Sequence, residues 1–464
     1  MKHLGIDDSE KLFLKRIFDH EDDYPFELKE VTSYILKKCD GLPLAIVNIA
    51  SMLATKPTTK NEWGRVRHSL CSSFEQDSEL DVVKHIFLLS YYDLPHYLKI
   101  CLLDLSIFPH DFEICCERLV QRWMAEGFII GYQGQCMEDT GRSYISEIIN
   151  RNMIQLVDID SISGQPVACQ VHDIMLDLII SLSAKENFVT IMDGEKLTPT
   201  SNTIRRLSLQ GKCERWKLLP GTNKLSHVRS LTVFSDVKKM PPVLDFQVLR
   251  VVDLQGCSYV EDGDIMDIGC LIHLRFLSLR KCSRISEIPG QIRKLQHLQT
   301  LDLTFTGIKR LPGKIAWLRQ LVHLLIPQGV QLPVGIGNME SLEELYWFDV
   351  KMIFREVVLQ LVNMTKLKNV TINWEFDDAT RDEESYQDYL MSSLCKLGEH
   401  DLRYLEIFMY NGSGSTDFLV NSWCPPPRHL ETFKMNSGIT TFLSRLPRWI
   451  SSLSELTCLD IPIK

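Results

Sequence analysis

The chain reads as a mixed α and α/β protein on three observations. Apolar residues recur at helical spacing up to Ile149, two short strand-like runs around a turn follow, and from Ile204 the pattern L-x-x-L-x-L returns to the end of the chain. These predict a small helical segment over residues 1–70, a winged-helix domain over 71–198, and a leucine-rich-repeat solenoid over 199–464, a horseshoe with a parallel β-sheet.

In the first segment, Leu28, Val31 and Ile35 mark one face of a helix that Gly41 closes in a left-handed C-terminal cap. Pro43 then starts a helix running to about Ala54, because a first-turn N–H has no partner within the helix. Gly41 to Ala45 is on these grounds a helix–helix corner. Asn61 is placed to cap a third helix through Trp63, Val66 and Leu70.

Further on, Cys115 to Glu126 is amphipathic and stopped by Gly127, and Gly141 to Ile149 is helical again. The strands Ile154–Ile159 and Val167–Val171 are joined through Ser163-Gly164-Gln165, a turn-forming loop. Helices followed by such a hairpin predict a winged helix. A DNA-reading one needs a basic face, and here Glu117 and Glu126 balance Arg118 and Arg122, so no nucleic-acid partner is expected. Asp173 precedes the apolar run Ile174 to Ala184 and is expected to cap that helix, with His172 just outside, near the positive end of the helix dipole, where an anion can be held. On its own, a His beside a cap is more often a purely structural residue.

The composition sets bounds on function. With 464 residues the chain exceeds one ordinary core, and its 45% hydrophobic and 24% charged residues are those of a globular protein. The net charge of -9, without a Lys/Arg block, disfavours polyanionic nucleic acid and anionic membranes as partners. Fourteen Cys without a C-x-x-C pair read as thiols of a reducing compartment. The opening MKHLGIDDSE lacks a secretion signal, and Leu42 to Ala54 falls short of the roughly 20 residues that span a bilayer, so a cytoplasmic protein without a transmembrane segment is expected.

Five blocks then carry a resemblance. Gly41 to Ala45 (GLPLA), Leu89 to Asp111 (LSYYDLPHYLKICLLDLSIFPHD), Leu119 to Ile129 (LVQRWMAEGFI), Gly141 to Gln155 (GRSYISEIINRNMIQ) and Val171-His172-Asp173 occur in the order found in plant nucleotide-binding leucine-rich-repeat (NB-ARC-LRR) disease-resistance proteins, which the chain resembles. The resemblance implies that His172 contacts the β-phosphate of bound ADP and that Pro43, beside Leu42, lies against the adenine. Gly41 and Asp173 would be structural or switch positions. It further implies an intracellular immune receptor whose repeats sense a pathogen effector or a guarded host protein. ADP would hold its closed state, and exchange for ATP would favour an open state that oligomerises and meets signalling partners.

The family writes Met where this chain has Val171, an apolar exchange. The larger departure is that no G-x-x-x-x-G-K-[ST] phosphate loop occurs in the sequence. The nearest match, Gly307 to Ile315, places five residues between Gly307 and Gly313 and has Ile315 where the magnesium-binding hydroxyl belongs. The resemblance therefore starts after the nucleotide-binding core, the chain is expected to be the C-terminal part of a receptor, and weak or absent binding of ADP or ATP is expected for it alone. The other reading is a nucleotide-independent repeat scaffold or decoy.

In the repeats the first pattern positions are Ile204, Val228, Leu249, Leu274, Leu298, Leu321, Leu342, Leu367, Leu402, Leu430 and Leu456. The long step from Leu367 to Leu402 holds the acidic stretch Asp377-Asp378 through Glu383-Glu384, expected to be a solvated loop. Between the pattern leucines, Phe276, Arg280, Tyr346, Phe348, Tyr404, Phe408 and Tyr410 are expected to face outward from the concave sheet as a partner surface, since aromatics and Arg dominate protein contacts. Docking within the protein itself is the alternative use of such a surface. No enzyme is predicted: His172-Asp173 lacks a nucleophile elbow, and Cys and His do not cluster at zinc spacing.

Overall fold

The computed structural model describes residues 3–20, 23–71, 79–131, 136–160, 164–193, 196–197, 203–211, 222–234, 240–350, 355–374, 383–409, 423, 425–437, 443 and 445–462. Two compact units divide the chain, the first reaching Val189 and the second beginning at Thr190.

The first unit opens with four helices: α1 (Ile6–Ile17), α2 (Lys29–Cys39), α3 (Pro43–Ala54) and α4 (Lys60–Cys71). Phe13 of α1 and Trp63 of α4 meet edge to face at 5.8 Å in its core, the geometry that ring quadrupoles favour. Asn61 does not cap α4. It lies within the helix, and the Glu62 N–H donates to the Thr59 hydroxyl at 3.4 Å, so the β-branched residue before Lys60 takes the cap role.

Four further helices follow: α5 (Glu79–Asp93), α6 (His96–Asp104), α7 (Cys116–Glu126) and α8 (Met137–Asn150). α7 ends at Gly127, whose φ of 81° is the left-handed cap that its sequence predicts. Strands β1 (Ile114–Cys115), β2 (Gln155–Ile159) and β3 (Pro166–Gln170) form a small sheet in the order β1-β3-β2, both pairings antiparallel, and helix α9 (Asp173–Lys185) follows directly. This is the winged helix. In its interior Arg122 of α7 faces Asp104 of α6 at 3.4 Å.

The second unit is a thirteen-stranded sheet. It starts with β4 (Thr190–Asp193), which pairs in parallel with β6 (Arg206–Gln210), while β5 (Lys196–Leu197) is an antiparallel edge on β4. The sheet thus begins ahead of the first repeat leucine-type position, because Ile191 and its neighbours supply a strand without the repeat signature. β7 (Ser230–Val233), β8 (Val251–Asp253), β9 (Phe276–Ser278), β10 (Thr300–Asp302), β11 (His323–Leu325), β12 (Glu344–Asp349), β13 (Asn369–Asn373), β14 (Tyr404–Met409), β15 (Thr432–Ser437) and β16 (Cys458–Asp460) continue it, each parallel to the last.

The pattern positions from Ile204 to Leu430 are buried and join one continuous apolar core, with Leu456 packed at its end. That is the expected economy of a solenoid, in which no repeat buries its apolar side alone. Most return segments are single 3₁₀ turns, such as Gly290–Lys294 and Gly313–Trp317, each following a Pro whose fixed φ suits a helix start. The long step is different. Glu383 and Glu384 open helix α10 (Glu383–Gly398), not a loop, because Leu390, Met391, Leu394 and Leu397 form an apolar helical stripe that the core buries. Asp377 and Asp378 lie outside the described residues. Among the described residues, no helix is long and apolar enough to cross a membrane.

Candidate functional site

At the junction of β3 and α9 the chain passes through Val171, buried, and then His172, half-buried. The N-cap of α9 is His172 itself, correcting the expectation for Asp173. The Ile174 N–H donates to His172 Nδ1 at 3.3 Å, and the Leu176 N–H donates to its carbonyl at 2.8 Å. Asp173 is the first helical residue instead, and its carboxylate turns to His110 Nδ1 at 3.0 Å. The boundary lies one residue earlier because the imidazole can do what the carboxylate was expected to do. An Nδ1 that accepts leaves the neutral ring protonated on Nε2, so the ring keeps one N–H donor at a helix N-terminus.

The second predicted position is the corner between α2 and α3. Asp40 and Gly41 both adopt left-handed φ, 48° and 69°. The Leu4 N–H donates to the Gly41 carbonyl at 2.8 Å, and a Cβ on Gly41 would stand 2.5 Å from the Leu4 carbonyl oxygen. Glycine is therefore required twice, by conformation and by the close backbone of residue 4. We expect Gly41→Ala to destabilise the first unit by about 2 kcal/mol or more, read from urea unfolding, with Gly64→Ala, a site with open space around it, as a neutral or stabilising control. Leu42 is buried, and Pro43 occupies the first turn of α3, half-buried.

Pro43 and His172 thus each begin a helix, and both helices, α3 and α9, pack against α5. Polar links that sequence spacing does not reveal join the helical segment to the winged helix. Ser90 Oγ donates to Asn48 Oδ1 at 2.6 Å, and Asn48 Nδ2 donates to the Arg151 carbonyl at 3.4 Å. Arg151 also reaches Asp93 at 3.3 Å, Lys56 pairs with the same Asp93, and Arg16 donates to the Asn150 carbonyl at 2.7 Å. A satisfied, largely buried network of this kind fixes one mutual arrangement of its helices. The only sequence signal for it is polar Asn48 within an apolar helix.

The outward-facing candidates divide. Phe276 is 0% exposed, in a row with Val251, Thr300 and His323 that is buried throughout, so it is not a free contact residue. Phe348 is also 0% exposed and belongs to the solenoid core. The cause is a bulge: β12 shifts register between Leu345 and Phe348, with Trp347 at φ 65°, and one extra residue sends the next side chain to the opposite face.

Trp347 accordingly takes the place expected for Phe348, 5.5 Å from Tyr346 and 4.5 Å from Phe408 by ring centroids. Burial raises the Tyr346 phenol above its ordinary value, and Glu406 adds to the effect. Tyr404 donates to Glu406 at 2.8 Å, and Arg280 donates to Thr304 Oγ1 at 2.7 Å with its guanidinium 4.9 Å over Phe305. Tyr410 lies outside the described residues.

Comparison with known proteins bears on these geometries. Residues 107–179 match the family described as the disease resistance protein winged helix domain, and residues 227–464 match the one described as a leucine-rich repeat region. The chain is similar to Disease resistance protein RGA5 of Oryza sativa subsp. japonica, 31% identical over 471 residues, covering 100% of this chain and 42% of that protein. It is similar to Disease resistance protein Pik-2 of the same plant, 31% identical over 94% of this chain and 45% of the other. Disease resistance protein RPP8 of Arabidopsis thaliana is 33% identical over 80% of this chain and 42% of its own length. The chain spans less than half the length of these relatives.

Proposed function

We propose, for a chain that belongs to the plant NB-ARC-LRR disease-resistance family as a winged-helix and leucine-rich-repeat region, that it works as part of a cytoplasmic immune receptor. In this reading the repeats meet a pathogen effector or a guarded host protein, and the winged helix reports nucleotide state. Its work is binding and switching, not catalysis.

The observation that carries the nucleotide part is the capped His172. Its Nδ1 is engaged by the Ile174 N–H, so an Nε2–H donor remains beside the free N–H groups of a helix start, a combination suited to a phosphate oxygen. Pro43, at its own helix start and half-buried, is available to a flat apolar ring. ADP or ATP would supply the phosphate charge that His172 recognises, and its two states would shift the equilibrium only through such differential contacts. The helix-joining network around Asn48, Arg151 and Asp93 would keep Pro43 and His172 in a fixed relation. The Tyr346, Trp347 and Phe408 group on the solenoid suits a protein partner.

A second reading, a nucleotide-independent interaction scaffold or decoy, is favoured by the lack of a phosphate loop in the 464 residues. Calorimetric titration with ADP separates the two. Under the first reading, binding is weak, with Kd on the order of 1 mM, and is lost in His172→Ala. Absence of heat, or heat unchanged by that substitution, returns the scaffold.

A further inference from the structure

One column of the solenoid has an unusual distribution of charge. The residue just before each strand donates its N–H to the carbonyl of the equivalent residue one repeat earlier: Arg229 to Arg205 at 2.7 Å, Arg250 to Arg229 at 2.7 Å, and Arg275 to Arg250 at 2.8 Å. The rungs of such a ladder are set by strand spacing, roughly 4.8 Å. Arg205, Arg229, Arg250 and Arg275 are therefore stacked at the N-terminal end of the sheet.

Farther along the same column the charges cancel. Lys368 pairs with Glu343 at 2.5 Å, and Arg403 pairs with Glu431 at 3.5 Å. At the N-terminal end, among the described residues, Arg205, Arg229 and Arg250 form no ion pair. They line a cavity of ≈ 340 Å³ together with His227 and His273, and among the described residues no carboxylate lines it. Like charges on neighbouring strands repel, so this end of the ladder is less stable than its compensated end unless an anion joins it.

We propose that this cavity is a binding site for a small anion carrying several phosphate groups. Arg forks match phosphate oxygens in bidentate pairs, and three rungs span roughly 10 Å, the reach of a compact polyphosphate. A cavity of this size is that of a small-molecule site, whereas an acidic protein segment needs a longer and flatter track. The site lies wholly within the second unit and does not depend on the role given to His172.

The test is calorimetric titration of the full chain at near-physiological salt with two probes, inositol hexakisphosphate and inorganic tripolyphosphate. One site per chain is expected, with binding weakened at least tenfold in Arg229→Gln/Arg250→Gln and further weakened as salt rises. Arg319→Gln, an exposed Arg outside the column, and His172→Ala are expected to bind as the parent does. The double variant, which removes repelling charges, keeps the parent's circular dichroism and melts no lower than the parent, so lost binding is not lost folding. A cyclic or a linear source is identified by which probe binds more tightly. Binding of neither probe, undiminished binding by the double variant, or binding of a polyglutamate peptide in place of both probes overturns the proposal.

Discussion

Replacing Arg122 by Met is expected to destabilise the first unit by about 3–5 kcal/mol, the cost of leaving one charge of a dry pair uncompensated. Arg122 is 1% exposed and Asp104 0%, so water cannot replace the missing guanidinium. The same substitution at a surface pair, such as Arg65 with Glu62, is expected to cost well under about 1 kcal/mol because solvent screens both partners. The discriminating measurement is a double-mutant cycle by urea unfolding. Asp104→Asn/Arg122→Met is expected to recover much of the loss, since a neutral amide tolerates burial better than an unpaired carboxylate. A loss under about 1 kcal/mol for Arg122→Met alone would mean that the pair is not dry.

The second large effect is expected at Phe348. Truncation to Ala removes a fully buried ring from the solenoid core and is expected to cost about 3–5 kcal/mol. Tyr346→Ala, on the other face of the same strand and half-buried, is expected to cost about 1 kcal/mol while weakening partner binding. A plain alternating strand would put Tyr346 and Phe348 on one face and make the two losses alike and small. Comparing the two variants by chemical unfolding therefore tests the bulge at Trp347 directly. Equal, small losses would remove Phe348 from the core.

Much of the architecture was legible because it rests on periodicity. The repeat positions recur mostly at 20 to 29 residues, and those from Ile204 to Leu430 are buried where the pattern expects them. Pro43 at a helix start and Gly127 at a helix end are local signals, and both act locally. Gly41 was legible as a left-handed position, but its second constraint, the backbone of Leu4, comes from a residue 37 positions away. Helix α10 escaped because its opening residues are acidic and its apolar stripe begins later, past the stretch that looked like a loop.

The candidate site was legible to a lesser degree. Val171-His172-Asp173 marked the right junction, yet the cap of α9 fell to His172, while Asp173 meets His110 from a separate segment. The partner-surface residues were read from an alternation that one bulge inverted, so Trp347 was missed and Phe348 misplaced. The Arg ladder escaped notice because its members are more than 20 residues apart and become neighbours only when repeats stack.

By itself the sequence determined the order of domains, the repeat core, and the helix start at Pro43, because periodicity, proline and glycine act through backbone geometry within a few residues. Only the tertiary structure decided which side chains meet: the cap at His172, the buried Arg122–Asp104 pair, the face that Phe348 takes, and the gathering of four arginines into one column. Those depend on distances between segments far apart in the chain, which no local pattern encodes.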